Sequence, residues 1–302
     1  MINTIQVATK MTDELDKAVT QKPVTGFMVD NNMRGKFVGA KTIMIPESNV
    51  SGLGDYDRDT GFVQGSISVS HTPFTLQMDR GRSFMLDRMD NDESGVADLA
   101  GQILGEFVRG QVVPEVDAYV LSKLAGLAVT KGQTVTGDPS TGALKILTDA
   151  IGKIQNEVGY DEELIAFVDS QMWSALQHTP ELNRQLCLTD FKRGELNTRV
   201  YSYNGVKILP VPDSRMKSAY IFNDGETEGQ EGGGFTPTAA AKNIGTLVLP
   251  KRAASLIKKT EQMRVFDPAH NLNADAWKMD YRLYYDVVVK NSLAGGVYAY
   301  VY

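Results

Sequence analysis

Met78 to Glu93 reads MDRGRSFMLDRMDNDE, and the hydrophobic period changes across it. On its N-terminal side Phe74, Leu76 and Met78 repeat every second residue, the spacing of a strand with one covered face. On its C-terminal side Val96, Leu99, Ala100, Ile103, Leu104, Phe107 and Val108 recur at helical spacing, and Val112, Val116, Tyr119, Val120 and Leu124 continue the stripe. Asp87 to Glu93 opens this helix, because Ser94 can cap it and carboxylates suit the positive end of the helix dipole. Pro114 removes one backbone donor inside the stripe, so a kink or break is expected near Val113, with Gly126 and Gly132 marking the end.

Working back toward the N-terminus, residues 36–90 are strand-rich. Lys41 to Pro46 (KTIMIP) carries three β-branched residues, Ile67 and Val69 alternate with serines, and the polar loop SGLGDYDRDTG (Ser51 to Gly61) lies between the runs. A hairpin with a glycine-rich tip is the simplest arrangement. Residues 1–35 have no clear period, and Asp30, Asn31, Asn32, Arg34 and Gly35 read as a turn ending a loosely attached arm that needs a partner surface.

Toward the C-terminus the pattern becomes short alternating α and β pieces over about 140–250. Leu144, Leu147, Ile151 and Ile154 form a helix face, Glu163 to Asp169 (ELIAFVD) is a buried strand, and Ser170 caps the next helix. Asn204-Gly205 between two alternating runs predicts a tight hairpin. Asp224 to Gly234 (DGETEGQEGGG) is acidic and glycine-rich and is expected as an exposed loop. Tyr284 to Lys290 and Val297 to Tyr302 return as strands.

The 302 residues are 42% hydrophobic and 23% charged, a globular composition that excludes disorder as a whole-chain reading. A chain of this size hides roughly three quarters of the surface exposed when unfolded, enough for a core without disulfides or metals. Lys and Arg number 31 against 37 Asp and Glu, so the net charge of −6 lacks the basic excess of a dedicated nucleic-acid binder. Cys187 is the sole cysteine, which excludes an intrachain disulfide and fits a reducing, cytoplasmic folding site. The N-terminus has no signal-peptide core, and no stretch approaches the roughly 18 apolar residues of a membrane span, so export by that route and membrane insertion are not expected.

Motifs for chemistry are sparse. Asp55, Asp57, Asp59 and Gly61 resemble a calcium loop, but the glycine stands seventh and the twelfth residue is Ser66, so a solvated turn is expected. Gly137 to Gly142 (GDPSTG) has phosphate-loop glycines, yet Ala143 and Leu144 stand where Lys and Ser or Thr belong, and a turn before a helix fits better. His71, His178 and His270 lie far apart with no local catalytic signature, and Cys187 sits between two leucines as a buried, inert thiol would. No catalytic residue, cofactor or metal is expected.

The densest charge cluster comprises Asp79, Arg80, Arg82, Asp87, Arg88, Asp90, Asp92 and Glu93. It reads either as a solvated edge, whose ion pairs contribute little, or as a self-complementary patch in which guanidinium forks of one copy meet carboxylates of the next.

Four blocks, Gly52 to Gly61 (GLGDYDRDTG), Asp79 to Asp90 (DRGRSFMLDRMD), Val113 to Lys123 (VPEVDAYVLSK) and Tyr281 to Asp286 (YRLYYD) with Gly296, Val297 and Tyr298, occur in the order arm, hairpin, kinked helix, α/β module, return strands. This ordered set resembles the major capsid protein of tailed bacteriophages, the Hong Kong 97-like fold, from phages or prophages of low-GC Gram-positive hosts. The resemblance implies an α+β fold with an N-terminal arm over 1–35, an extended hairpin loop over 36–90 and a peripheral domain with a long spine helix over 91–140. An axial α/β domain over 141–255, with Asp224 to Gly234 as a tip loop, and peripheral return strands over 256–302 complete it.

It further implies a subunit of the icosahedral shell enclosing the double-stranded DNA genome, in the virion, assembled in the bacterial cytoplasm. Its partners would be itself in hexamers and pentamers, a portal, decoration proteins and DNA gripped weakly without sequence readout. Because the arm begins almost at Met1, a separate scaffolding protein is expected. Candidate inter-subunit contacts are Arg58, Asp79, Arg80, Arg82, Asp87, Arg88 and Asp90. Two other roles remain open on the residues alone, an encapsulin-like compartment shell with the same fold and a soluble hydrolase using His178 or His270.

Overall fold

The helical stripe forms two helices, α1 (Ala100–Phe107) and α2 (Val113–Thr130), in the computed structural model, which describes residues 23–29, 37–38, 41–87, 100–179, 187–193, 196–271 and 274–302. The helix opening expected over 87–94 lies mostly outside the described residues. Between α1 and α2, Val108–Val112 make a π turn in which the Val113 N–H reaches back to the Val108 carbonyl. Pro114, in the first turn of α2, has no N–H for the carbonyl of Gly110, so the expected interruption takes the form of a widened turn rather than a break. Gly126 does not end the helix. The end comes at Gly132, whose φ of +70° lets the Gln133 N–H bond the Ala128 carbonyl (2.8 Å) and its own N–H bond that of Val129 (3.0 Å).

From Val116 to Leu121 every residue of α2 is buried, with Leu124, Ala125 and Ala128 beyond. A helix buried on all sides must be covered on all sides, and two sheets do this. One has seven strands in the order β5 (Thr134–Val135), β15 (Tyr298–Val301), β12 (Ile244–Pro250), β6 (Leu164–Val168), β9 (Val206–Pro210), β8 (Leu196–Tyr203), β7 (Cys187–Arg193). Every residue of the central β6 is buried. Its Ile165 and Phe167 face the α2 core, while Leu164, Ala166 and Val168 join Ile146, Leu147, Ile154, Met172 and Leu176 of α3 (Pro139–Val158) and α4 (Ser170–His178). Asp138 caps α3 by accepting the Ser140 N–H, so GDPSTG is a helix start. For α4 the cap is Asp169, accepting the Met172 N–H at 2.7 Å, and Ser170, expected there, is the first helical residue. Asn204 and Gly205, at φ 48° and 80°, make the tight turn between β8 and β9.

The second sheet orders β13 (Ala254–Phe266), β14 (Ala276–Val289) and β4 (Met78–Asp87), and lays Leu256, Tyr281, Leu283, Tyr285 and Val287 on the other side of α2. The return segment expected as one set over 256–302 is therefore divided. β13 and β14 stay here, whereas β15 crosses to the seven-stranded sheet between β12 and β5, where Val297 and Ala299 complete the core.

Before β4, strands β2 (Thr42–Val50) and β3 (Ile67–Thr75) pair from Thr42↔Thr75 to Val50↔Ile67, with β1 (Phe37–Val38) on the outer edge of β2. Only the root of this ribbon is covered, where Ile43, Leu76, Ile257, Tyr284 and Val288 pack together. The arm segment 23–29 does not wait for a partner. Val24 and Met28 enter the α2 core and Phe27 stacks on Phe167 at 6.1 Å.

Candidate subunit interface

Beyond its root the ribbon carries large apolar side chains that no other described residue covers. Ile67 is 76% exposed and Phe62 89%, and Val50, Leu53, Tyr56, Val63 and Val69 are exposed with them. The tip is nonetheless built. Ser51 donates its N–H to the Ser66 carbonyl (3.0 Å) and its Oγ accepts the Ser66 N–H (2.6 Å). Asp57 and Gly61 exchange backbone hydrogen bonds, Gly61 at φ +83°, and the Asp57 carboxylate accepts the Asp59 N–H at 2.7 Å. Asp57 is thus used in the turn, and among the described residues no three His, Cys, Asp or Glu converge as a metal site would need. Closing the turn sets Tyr56 against Phe62, ring centroids 4.8 Å apart.

At the root, carboxylates tie β4 and β14 to α2. Asp286, fully buried, accepts the Gln77 N–H (3.1 Å), the Tyr119 hydroxyl (2.9 Å) and the Lys123 ammonium. Burial and the Asp286 charge push the Tyr119 hydroxyl far above the ordinary tyrosine range. Arg80 donates Nε and Nη2 to Glu115 at 2.6 and 3.2 Å, and Nη2 also to the Gly234 carbonyl. Among the described residues Arg82 donates to the Glu231 carbonyl (3.0 Å) and to no carboxylate. Arg282 forks onto Asp79 at 2.9 and 2.6 Å, which holds the Asp79 carboxyl below the usual range.

Of the seven candidate contact residues, Asp79 and Arg80 therefore have ion-pair partners within the subunit. Arg58 and Arg82 have no carboxylate partner among the described residues, Asp87 ends β4 opposite Ala276, and Arg88 and Asp90 lie outside the described residues. Asp224 to Gly234 is largely exposed, as its composition predicts. It joins β10 (Tyr220–Phe222) to β11 (Phe235–Pro237), and its carbonyls at Glu231 and Gly234 strap it to the arginines of β4.

A carboxylate that sequence reasoning passed over holds the arm. Asp117 accepts the Val24 N–H and Thr25 N–H at 3.0 Å each, the Thr25 hydroxyl at 2.6 Å and the Arg215 Nη1 at 3.0 Å. Burial pushes this carboxyl up, against the pull of Thr25, the two backbone donors and Arg215. Its signal was an aspartate within the apolar stripe of α2, as Asp286 is an aspartate inside YYDVVVK. The histidines sit apart in the fold, His71 on β3, His178 at the end of α4 against the Ser174 carbonyl, and His270 against Asp267. Cys187 begins β7. Among the described residues no helix is long and apolar enough to cross a membrane.

No protein-family model and no curated protein matches the chain. Solved structures do. A chain from Mycobacterium phage Che8 superposes with a TM-score of 0.57 at 12% identity, over 92% of this chain and 91% of that one. A chain of the mature capsid of bacteriophage PhiM1 gives 0.55 at 14% identity, over 87% and 82%. The virus-like particle from Pyrococcus furiosus gives 0.52 at 8% identity, over 99% and 100%. The likeness to the two phage chains covers 92% and 87% of this chain, and the chain has the Hong Kong 97-like fold of phage capsid proteins.

Proposed function

We propose that this chain is the major capsid protein of a tailed bacteriophage, a shell subunit without catalytic residues. The observation that carries the reading is the ribbon with its apolar side chains exposed. A monomer gains nothing from leaving Phe62, Ile67 and Val69 in water on an ordered projection, whereas a subunit covered by its neighbours does. In this reading the β2–β3 ribbon lies across an adjacent copy, α2 is the spine of a peripheral domain to which β4, expected within the hairpin over 36–90, also belongs, and the seven-stranded sheet with α3 and α4 is the axial domain. Hexamers and pentamers of the chain close the shell in the host cytoplasm, with a separate scaffolding protein, a portal and decoration proteins as partners. The acidic balance of −6 suits a wall that touches packaged DNA weakly. Repeated modest contacts in such a shell sum to a stable particle.

A compartment shell enclosing protein cargo is the second reading, favoured by end-to-end coverage of the Pyrococcus furiosus particle chain. Negative-stain electron microscopy with solution mass, on the protein expressed alone and with its neighbouring open reading frames, tests both. Closed shells, tubes or capsomer rings are expected, and nuclease-protected DNA rather than a cargo protein inside them decides for the phage. A small oligomer under every condition overturns the shell reading.

A further inference from the structure

The chain leaves the ribbon for the body through two residues, Leu76 and Gln77, between the end of β3 and the start of β4. Such a short joint is where a projecting ribbon swings, and the apolar packing at the root does little to aim it, because burial of apolar surface is non-directional. Hydrogen bonds and contacts of a cation with a ring face are directional, and the joint is surrounded by them. The Leu76 carbonyl accepts the Tyr284 hydroxyl at 3.0 Å and the Gln77 N–H is donated to Asp286 at 3.1 Å, both partners on β14. The Leu76 N–H bonds the Lys41 carbonyl at 3.0 Å, which closes the other side.

Lys123 of α2 carries the brace from the joint onto the ribbon. Its ammonium stands 2.5 Å from Asp286 Oδ1 and 5.2 Å from the ring centroid of Phe74 on β3. Two further contacts reach the ribbon from other elements. Asn291, in the 3-10 turn that follows β14, donates its amide to Glu47 of β2 at 2.6 Å, and the Lys259 ammonium of β13 lies 4.7 Å from the Phe37 ring centroid on the β1 edge. Phe37 and Phe74 pair with Ile43 from its two sides, and Glu47 lies farther along β2, about 13 Å out. The three contacts thus mark a triangle and not a line, and three points off one line fix the orientation of a rigid body.

We propose that Lys123, Asp286 and Asn291 are positioning residues that set the angle between ribbon and body, and through it the curvature of the shell; the second half rests on the shell reading above. β2 and β3 are 9 residues each, so the ribbon extends about 30 Å from its root, and a swing of about 10° carries its end about 5 Å, a full strand spacing. A loosened root therefore displaces whatever contact the end of the ribbon makes, and the displacement recurs in every copy of the subunit.

The test measures the angle in the unassembled full chain. Nitroxide labels at Thr60→Cys in the tip and Lys145→Cys on α3, in a Cys187→Ser background, report the distance between ribbon and body by pulsed electron paramagnetic resonance. One narrow distance is expected for the braced subunit. Lys123→Met with Asp286→Asn removes the brace without leaving a buried charge unpaired, and is expected to shift or broaden that distance by about 5 Å or more. Lys123→Arg alone, which keeps the cation, is expected to retain the parent distance. Asn291→Ala removes a single exposed contact and spares the core, so it is expected to fold normally and to broaden the same distribution. An unchanged distance in these variants, whatever their denaturant midpoints, makes the residues structural only and overturns the proposal. In assembled particles the double variant is expected to give mixed diameters or tubes where the parent gives one diameter, and a single unchanged diameter despite a displaced ribbon overturns the link to curvature. If the parent forms no particle, the shell reading fails and the distance measurement still decides the brace.

Discussion

Arg80 on β4 donates both Nε and Nη2 to Glu115 in the first turn of α2, at 2.6 and 3.2 Å, and the same Nη2 holds the Gly234 carbonyl of the strap. A single guanidinium therefore joins the base of the exposed ribbon, the segment just after the π turn and the glycine-rich loop. The side chains are only 24% and 12% exposed, so the pair is screened far less than a surface salt bridge.

Glu115→Gln keeps the shape but turns an amide N–H toward the guanidinium. The expected cost is about 1–3 kcal/mol of subunit stability, read as a lower denaturant midpoint of the unassembled protein. Replacing both partners with apolar groups, Arg80→Met with Glu115→Leu, is expected to recover part of this loss, since neither charge is then left unpaired. A double variant no more stable than the worse single variant contradicts the pairing.

Asp117→Asn tests the arm. An asparagine offers one acceptor where the carboxylate serves two backbone N–H groups, the Thr25 hydroxyl and Arg215, and its amide faces a donor. Breaking this buried set is expected to cost about 3–5 kcal/mol and to raise hydrogen exchange at Val24 and Thr25 ahead of the core strands. Unchanged protection at those two amides removes Asp117 as the anchor.

These two sites were also where sequence reading stopped. The hairpin, the α2 spine, the β6 strand and the Asn204-Gly205 turn were legible because each follows from local period or local backbone geometry. Their strands sort into sheets through contacts distant in sequence. β15 belongs beside β12 because Val297 and Ala299 complete a core that only the folded chain assembles, and no local signal distinguishes it from β14. The charge cluster at 78–93 was legible as a cluster, but Glu115 and Gly234, 35 and 154 residues from Arg80, were not legible as its partners. Asp224 to Gly234 reads as solvent-facing from composition, yet its carbonyls, which composition does not reveal, bind the arginines.

Asp224 gives the strap a pH limit. Its carboxylate accepts the Glu226 and Thr227 N–H groups at 2.9 Å each and the Thr227 hydroxyl, which lowers its pKa from 3.8 to about 2. The folded loop thus binds its proton less readily than the unfolded chain, so its contribution is whole above about pH 4 and is lost as pH falls toward 2. Amide exchange at Glu226 and Thr227, after correction for intrinsic rates, is expected to rise over that window, and Asp224→Ala to abolish the step. A flat profile from pH 5 to 2 contradicts it.

Two glycines should respond oppositely to alanine. Gly126 is exposed near the C-terminal end of α2, beyond its fully buried stretch, and an added Cβ meets nothing within 4 Å, so Gly126→Ala is expected to stabilise the subunit by about 0.5–1 kcal/mol through helix propensity. At Gly245 of β12 the Cβ would fall 2.6 Å from the Tyr300 ring, closer than carbon atoms approach, so Gly245→Ala is expected to lower the thermal midpoint. Equal shifts for both would show that packing around β12 yields more easily than its geometry implies.

Ile67 and Val69 separate folding from assembly. Both stand on β3 beyond the covered root, 76% and 63% exposed, paired through the backbone with Val50 and Ser48. Changing both to Thr keeps the β-branch and the strand propensity while removing apolar surface, so the unassembled subunit should change by no more than about 0.5 kcal/mol. Burial of an isoleucine or valine side chain is worth about 1.5–3 kcal/mol, and in a shell the loss recurs at every copy of the contact. The concentration at which particles first appear in light scattering is therefore expected to rise sharply, while the denaturant midpoint of the free subunit stays in place. A lowered midpoint with unchanged assembly would mean that the ribbon serves its own subunit's stability and is not covered by a neighbour.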